Sequence, residues 1–221
     1  MKQSRKICFG LCLALLSLSI IGVAQPIKGD EAQYLSPLEK AIVREINMAR
    51  TNPKGYASFL EKWKPYYEGK QLKLPGEITL MTKEGVTAVN EAIRSIRSMN
   101  PVHPLSPSKG MSLAARDHVK DQGSSGSTQH MGNDRSQPWD RANRYGTWQK
   151  TIGENISYGS DKARNIVLTL LIDDGVPGRG HRKNIFNPDF HVMGVAFGRH
   201  ATYRTICVIT FAGGYLEKNG K

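Results

Sequence analysis

The segment 203–211, with the sequence YRTICVITF, is the feature that most constrains the fold. It is rich in β-branched and aromatic residues and predicts a strand. The segment 193–199 has a similar character, and His200-Ala201 between the two runs suits a hairpin. A third short strand is predicted over 151–158. The chain must therefore build a small antiparallel sheet and cover it with its remaining elements.

Those remaining elements are mostly helical. Ser36-Pro37-Leu38-Glu39 combines a capping box with proline at the first helical position. Apolar residues then recur every three or four positions in several segments, whereas 64–82 shows no sustained period and is predicted to be loop. Helices outnumber strands, which predicts an α+β fold with helices packed on the sheet. The predicted helices run from 36 to about 51, 54–63, 83–99, 106–122 (stopped by Gly123), 139–144 and 161–172.

The first 24 residues are typical of a secretory signal peptide. Lys2, Arg5 and Lys6 precede an apolar run at 7–23, and Ala24 supplies a small residue before polar sequence begins. A membrane anchor that is not cleaved is the alternative. The signal peptide predicts a secreted or periplasmic protein that is not transmembrane. We expect a flexible leader at 25–34, one domain at 35–215 and a tail at 216–221.

Cysteine usage and charge limit the partners. Cys8 and Cys12 fall in the predicted signal peptide, so Cys207 would be alone, buried and unreactive. Removal of the signal peptide lowers the formal net charge from +12 to +9. A basic surface favours anionic lipid, glycan or an envelope protein, although it also occurs without any specific partner. The dispersed charge and the predicted export argue against nucleic acid as a partner.

Four positions carry side chains that ligate metals or move protons: His130, Glu154, the pair Asp173 and Asp174, and His181. Imidazoles and carboxylates are ligands that zinc accepts. Their spacing matches no local zinc motif, and a His-Glu-x-x-His sequence is absent, which excludes a zincin protease. The spacing alone leaves two interpretations open, a shared site or separate structural residues.

Each of the candidate residues also has a structural interpretation that requires no shared site. His118 lies on the apolar face of a predicted helix and is typical of a core histidine. Glu154 can accept backbone N–H bonds within its own turn. Asp173 and Asp174 lie at the end of a helix, where the macrodipole disfavours anions, so they need a partner of some kind.

Several motifs together resemble the CAP superfamily, which covers cysteine-rich secretory proteins, antigen 5 and pathogenesis-related 1, and they are most similar to its bacterial members. The match extends from about residue 38 to 215, with 53–104 as an expected helical insertion. The motifs that carry it are Ile46-Asn47-Met48-Ala49-Arg50, Ala114-Ala115-Arg116-Asp117-His118, Gly153-Glu154-Asn155-Ile156, Gly180-His181-Arg182-Lys183-Asn184-Ile185 and Met193-Gly194-Val195-Ala196.

The resemblance implies an α-β-α sandwich around a cavity with two histidines and two acids. It assigns His130, Glu154 and His181 to that cavity, and it favours Asp174 over Asp173 as the second acid. It also implies a divalent metal ion, with zinc as the first candidate. The further cavity candidates are His118, Asp173, Asn155 and Arg182.

Two functions follow as expectations. The first is an exported, non-enzymatic module that binds a divalent ion in the cavity and a lipid, glycan or protein at its surface. The alternative is a hydrolase of peptides or wall material in which Glu154 acts as general base beside His181, with Arg182 steadying an oxyanion. The absence of a Gly-x-Ser-x-Gly nucleophile motif favours the first. The sequence leaves the ligand and the oligomeric state open.

Overall fold

The structure is a computed structural model that describes residues 33–218. The predicted signal peptide, most of the predicted leader and the last three residues lie outside this described part. The strands are β1 (Tyr67–Glu68), β2 (Gln71–Leu72), β3 (Leu80–Met81), β4 (Ser106–Pro107), β5 (Gly146–Tyr158), β6 (Val192–His200) and β7 (Arg204–Glu217). The helices are α1 (Pro37–Thr51), α2 (Pro53–Glu61), α3 (Val86–Ser98), α4 (Lys109–Ser125), α5 (Pro138–Tyr145), α6 (Ala163–Ile172) and α7 (Gly180–Phe186).

A four-stranded sheet in the order β4-β6-β7-β5 forms the centre of the domain. β7 pairs antiparallel with both β6 and β5, which confirms the predicted hairpin. The short strand β4 adds to β6 in parallel through Ser106 and Pro107. β7 continues to Glu217, past the end predicted for this strand at 211. Gly213 and Gly214 interrupt the β-branched pattern, and the pairing with β5 continues from Gly214 after a register shift between Gln149 and Ile152.

Helices cover both faces of this sheet, so the fold is the expected α-β-α sandwich. α4 and α5 lie on one face, where Ala115 and Val119 pack against Ala196 and Val208. α1, α6 and α7 lie on the other face, together with α2 and α3, and contribute the larger apolar core. Gly194 of β6 makes the close approach of α4 possible, because a Cβ there would overlap the backbone of Met111.

The chain departs from the predicted helix boundaries around α4. Ser108, rather than Ser106, caps this helix by accepting from Met111 N–H at 3.2 Å. The helix passes through Gly123 and ends at Gly126, which adopts φ 74°. Gly123 is required for packing instead, since a Cβ there would lie 2.5 Å from the Arg199 carbonyl oxygen. A glycine in a helical pattern thus marks a close contact here and not the helix end.

The segment 64–82, predicted to be loop, contains a 3-10 turn and a three-stranded antiparallel sheet formed by β1, β2 and β3. Each of these strands has only two residues, too few to show a period of two in the sequence. Leu72 of this small sheet is buried in the larger core. None of the helices at 33–218 is long and apolar enough to cross a membrane.

Arg50 connects α1 to two segments that are distant in sequence, at residue 103 and at 185–190. Its fully buried guanidinium donates to four carbonyl oxygens, those of His103 (2.9 Å), Ile185 (2.6 Å), Asn187 (3.0 Å) and Phe190 (3.3 Å). Burial lowers the pKa of Arg50 to about 10, so it remains charged at neutral pH. These contacts fix the connection that follows α7, and therefore the position of α7 itself.

Candidate functional site

Glu154 on β5 is the centre of the first histidine–carboxylate pair. Its carboxylate is 1% exposed and accepts from His130 Nδ1 at 2.9 Å through one oxygen. The other oxygen accepts from Arg141 Nη2 at 2.8 Å. His118 Nε2 lies 4.0 Å from the first oxygen. Three groups on three different segments thus converge on one buried carboxylate.

Arg141 of α5 organises this pair. Besides its contact with Glu154, it donates to the carbonyl oxygens of His130 at 3.1 Å and Ser136 at 2.8 Å. The loop that carries His130 is therefore held by the same guanidinium that neutralises Glu154. Arg141 was not among the residues predicted for the site, although Pro138, Arg141 and Ala142 share the buried face of α5 at helical spacing. A charged residue on a buried face was the signal that could have revealed it.

His118 on α4 is fully buried, as predicted for a core histidine. Its Nε2 donates to the Gln129 carbonyl oxygen at 2.9 Å, and burial lowers its pKa, so the ring is neutral. Its Nδ1 has no hydrogen-bond partner among the described residues. His118 supports the loop next to His130 and has no exposed atom with which to meet a ligand.

The second pair joins Asp173 and His181. Asp173 follows α6 in a left-handed conformation with φ 56° and is 1% exposed at its side chain. One carboxylate oxygen contacts His181 Nδ1 at 2.6 Å, and the other accepts from the His181 backbone N–H at 2.9 Å. Asp173 therefore sets both the start of α7 and the orientation of the imidazole.

Asp174, the acid that the resemblance favoured, lies elsewhere. Its two oxygens accept from the backbone N–H groups of Lys83 at 2.6 Å and Glu84 at 2.8 Å, just before α3. The preference for Asp174 over Asp173 is corrected by this geometry. The left-handed turn at Asp173 directs the two neighbouring side chains to different partners, which sequence spacing does not reveal.

Asn155 and Arg182, two further cavity candidates, have structural partners. Asn155 Nδ2 donates to the His181 carbonyl oxygen at 2.9 Å, and Asn155 Oδ1 accepts from Asn184 at 2.8 Å. Arg182 is 2% exposed and donates to both carboxylate oxygens of Glu91 at 2.7 Å. Its remaining donors meet backbone carbonyls at the end of α6. The expected oxyanion role of Arg182 is not supported, since its guanidinium is already satisfied.

The predicted cavity residues therefore form two separate pairs, His130 with Glu154 and His181 with Asp173, and Asp174 belongs to neither. Successive side chains of a strand point to opposite faces, so Glu154 faces α4 and α5 while Asn155 faces α7 and His181. Over residues 33–218, no group of three or more His, Cys, Asp or Glu side chains is placed so that it can hold a metal ion. Glu154 is also neutralised by Arg141, a cation that competes with a metal for the same oxygens. The expected set of two histidines and two acids does not fit a metal ion in this arrangement.

Both pairs leave a histidine nitrogen available. In each pair Nδ1 faces a carboxylate, which favours the tautomer whose Nδ1–H donates to that carboxylate and whose Nε2 is an acceptor. The side chain of His130 is 52% exposed and that of His181 is 24% exposed. Each imidazole is thus a fixed hydrogen-bond acceptor at the surface, held from behind by a buried acid.

A cleft of about 230 Å³ opens beside the first pair. Trp139, which is 45% exposed, lines it together with His130. Trp139 was predicted to lie in a short helix but not to line a site, because an exposed and a buried tryptophan look alike in sequence. The lining is His130, Gln137, Pro138, Trp139, Ile152, Gly153 and Glu154.

Comparison with known proteins identifies the family. The model of the family described as "CAP: Cysteine-rich secretory protein family" matches residues 89–211, more than half of the chain. The chain belongs to this family. The match begins within α3 and ends in β7, so it includes α4, most of the sheet and both histidine–carboxylate pairs of this CAP domain.

Individual relatives are distant. The CAP domain is 28% identical over 123 residues to the uncharacterized protein YkwD of Bacillus subtilis, which covers 56% of this chain and 44% of that protein. The chain thus spans less than half the length of this relative. Among solved structures, an outer surface protein from Borrelia burgdorferi is 17% identical, with a TM-score of 0.43 over 53% of this chain and 80% of that one. An extracellular protein containing an SCP domain from Bacillus anthracis is 23% identical, with a TM-score of 0.41 over 57% and 37%.

Proposed function

We propose that this CAP domain is a non-enzymatic binding module that acts outside the cytoplasm and holds an envelope glycan in the cleft lined by His130 and Trp139. The observation that carries the proposal is an exposed tryptophan in the same cleft as an imidazole whose Nδ1 is fixed by Glu154. Export is supported by the predicted signal peptide. The basic composition supports an anionic wall or envelope partner.

The cleft offers the two kinds of contact that a sugar needs. Trp139 presents a flat apolar surface with a polar N–H at one end, and such side chains are enriched where one face of a ligand is apolar and the other is wet. His130 Nε2 can accept a bond from a hydroxyl group, and Gln137 adds a side-chain amide with two donors. The contact between Arg141 and the His130 carbonyl oxygen fixes the loop in advance, which lowers the entropic cost of binding.

The contacts of Glu154 favour binding over catalysis. A general base must reach the proton that it removes, but Glu154 is 1% exposed and both of its oxygens are engaged. Within the described chain, no serine, threonine or cysteine side chain is hydrogen-bonded to the ring of His130 or His181. Burial raises the pKa of the Cys207 thiol, as expected for an unreactive residue.

The test is a binding titration with soluble glycan fragments prepared from bacterial cell wall. We expect Trp139→Ala and His130→Ala each to weaken binding by about tenfold or more, since each removes one of the two principal contacts. Tyr203→Ala is the matched control, because Tyr203 is 48% exposed and lies outside the cleft. Equal affinity of wild type and Trp139→Ala for every fragment would overturn the proposal.

The same samples distinguish the alternatives. Mass spectrometry of the fragments after incubation tests the hydrolase, which requires cleavage by wild type and none by Glu154→Gln. Anionic vesicles and envelope extracts, added as competitors, test the lipid and protein partners that the basic surface also suggests. A competitor that binds equally well to wild type and to Trp139→Ala does not use this cleft.

A further inference from the structure

A second cavity, of about 240 Å³, is separate from the His130 cleft and shares no lining residue with it. Three parts of the chain form its walls: the segment 63–80, helix α6, and the end of β5 with the β6–β7 turn. The first wall belongs to the expected insertion. The main contributors are Trp63, Leu74, Ile78 and Leu80 from the segment, Tyr158 from β5 and Tyr203 from the turn.

The lining is mainly apolar, and part of it is left in contact with water. Ile78 is 60% exposed, Leu80 44% and Tyr203 48%, although all three line the same cavity. Contiguous exposed apolar surface of this kind marks a binding site more often than a solvated loop. An apolar cavity of about 150 Å³ is large enough for benzene. A space of 240 Å³ therefore accepts a somewhat larger apolar group, such as a substituted ring or a short alkyl chain.

The charges of the lining are unbalanced. Glu77 is neutralised by Lys162 at 2.9 Å and also accepts from Asn165 at 3.3 Å. Arg204 is the other charged residue of the lining. Within residues 33–218 its guanidinium has no hydrogen-bond or ion-pair partner, and its backbone adopts φ 68°, where a non-glycine residue is uncommon. A cation is thus left available at the rim of an apolar cavity.

We propose that this cavity binds a small anionic amphiphile, whose apolar part contacts Trp63, Ile78 and Leu80 and whose anionic group pairs with Arg204. A carboxylate or phosphate monoester on a chain of about eight carbons has this chemistry, and guanidinium binds such groups through paired hydrogen bonds. The site is independent of the proposed glycan cleft, so either proposal can fail without the other.

The experiment is a calorimetric titration of the full chain with octanoate and, separately, with octanol. Octanoate should bind with one-to-one stoichiometry and about tenfold more tightly than octanol, because only octanoate can pair with Arg204. Anionic phospholipid vesicles form a further arm. Binding of octanoate without vesicle binding identifies a free amphiphile as the ligand. Vesicle binding that is weakened by Arg204→Asn and not by Arg135→Asn identifies a membrane lipid as its source.

Two variants test the two halves of the site. Arg204→Asn tolerates the left-handed backbone and should weaken octanoate about tenfold while leaving octanol unchanged. Arg135→Asn is the matched control, because Arg135 is also exposed, also has a positive φ, of 65°, and lies outside the cavity. Thr169→Trp, on the exposed side of α6, should fill the space and abolish the binding of both ligands.

Two outcomes would overturn the proposal. An equal effect of Arg204→Asn and Arg135→Asn would show nonspecific attraction of anions to a basic protein. Octanoate affinity that survives Thr169→Trp would place the ligand elsewhere. If Thr169→Trp does not fold by circular dichroism, Leu80→Ser replaces it, with Leu216→Ser as its control, since both leucines are exposed and only Leu80 lines the cavity.

Discussion

The two histidine–carboxylate pairs look alike in sequence and differ in what holds their acid. Glu154 is balanced by a full positive charge, the 2%-exposed guanidinium of Arg141. Asp173 is balanced by its own histidine and by a backbone N–H at the start of α7. A buried ion pair leaves an uncompensated charge when one partner is removed, whereas a backbone cap loses about one hydrogen bond. Removing one partner should therefore lower the free energy of unfolding much more in the first pair than in the second.

The largest expected effect is that of Arg141→Met, which leaves Glu154 buried without its cation. We expect a loss of about 3–5 kcal/mol in the free energy of unfolding, measured by urea denaturation. Arg144→Met on the same helix is the control, because Arg144 is 39% exposed and its ion pairs should contribute about 0–1 kcal/mol. Adding Glu154→Gln to Arg141→Met should recover part of the loss. A loss below about 1 kcal/mol for Arg141→Met would remove the difference between the two pairs.

The matching change in the second pair is Asp173→Asn. Asparagine tolerates φ 56° and retains one acceptor, so we expect a loss of only about 1–2 kcal/mol. Asp174→Asn is the control for the neighbouring carboxylate, whose contacts with the exposed Lys83 N–H and the partly buried Glu84 N–H should contribute less. Urea denaturation of both variants tests whether Asp173→Asn loses more stability than Asp174→Asn. If Asp173→Asn is as damaging as Arg141→Met, the comparison is wrong.

The residue patterns predicted the α+β elements and the family resemblance implied the sandwich, but neither predicted the partners of the two acids. Capping at Ser36 and the β-branched run in β7 are local signals, and both are observed. The partner of Glu154 is Arg141, which becomes visible only when α5 packs onto β5. The split between Asp173 and Asp174 depends on one left-handed residue, a property of the backbone that neither side chain encodes. Local patterns thus predict elements, while partner choice depends on how those elements meet.

Low pH should weaken the contacts by which residues 83–91 support the second pair. The pKa of Glu84 is lowered to about 2 by hydrogen bonds from Arg179 and from the Gly175 N–H. Folding therefore favours ionised Glu84, and the resulting stability is complete above pH 4.5 and is lost as the pH falls from 4.5 to 2. Because Glu84 is 35% exposed, we discount its contribution to about 0.5–1 kcal/mol.

The measurement is the difference in unfolding free energy between wild type and Glu84→Gln at several pH values. This difference should be largest near neutral pH, decrease below pH 4.5 and vanish near pH 2, as the sign of the pKa shift requires. Glu68→Gln serves as the control, because Glu68 is 67% exposed and its ion pair with Lys73 lies away from α7. A difference that grows towards acid pH would contradict the role assigned to Glu84.

The smallest expected effect is that of zinc. A site that bound zinc in the native state alone would add about 2.7 kcal/mol at a concentration one hundred times its Kd. Because Arg141 occupies one oxygen of Glu154 and Asp173 is engaged by His181, we expect a change below about 0.5 kcal/mol in wild type. Urea denaturation with zinc and with a chelator measures it, alongside the metal content of the purified protein. One bound zinc per chain, lost in the variant His130→Ala with His181→Ala, would show that the two pairs come together on the metal. In that case Arg141 must release Glu154, and the first pair would change its partners when metal binds instead of serving as a fixed support.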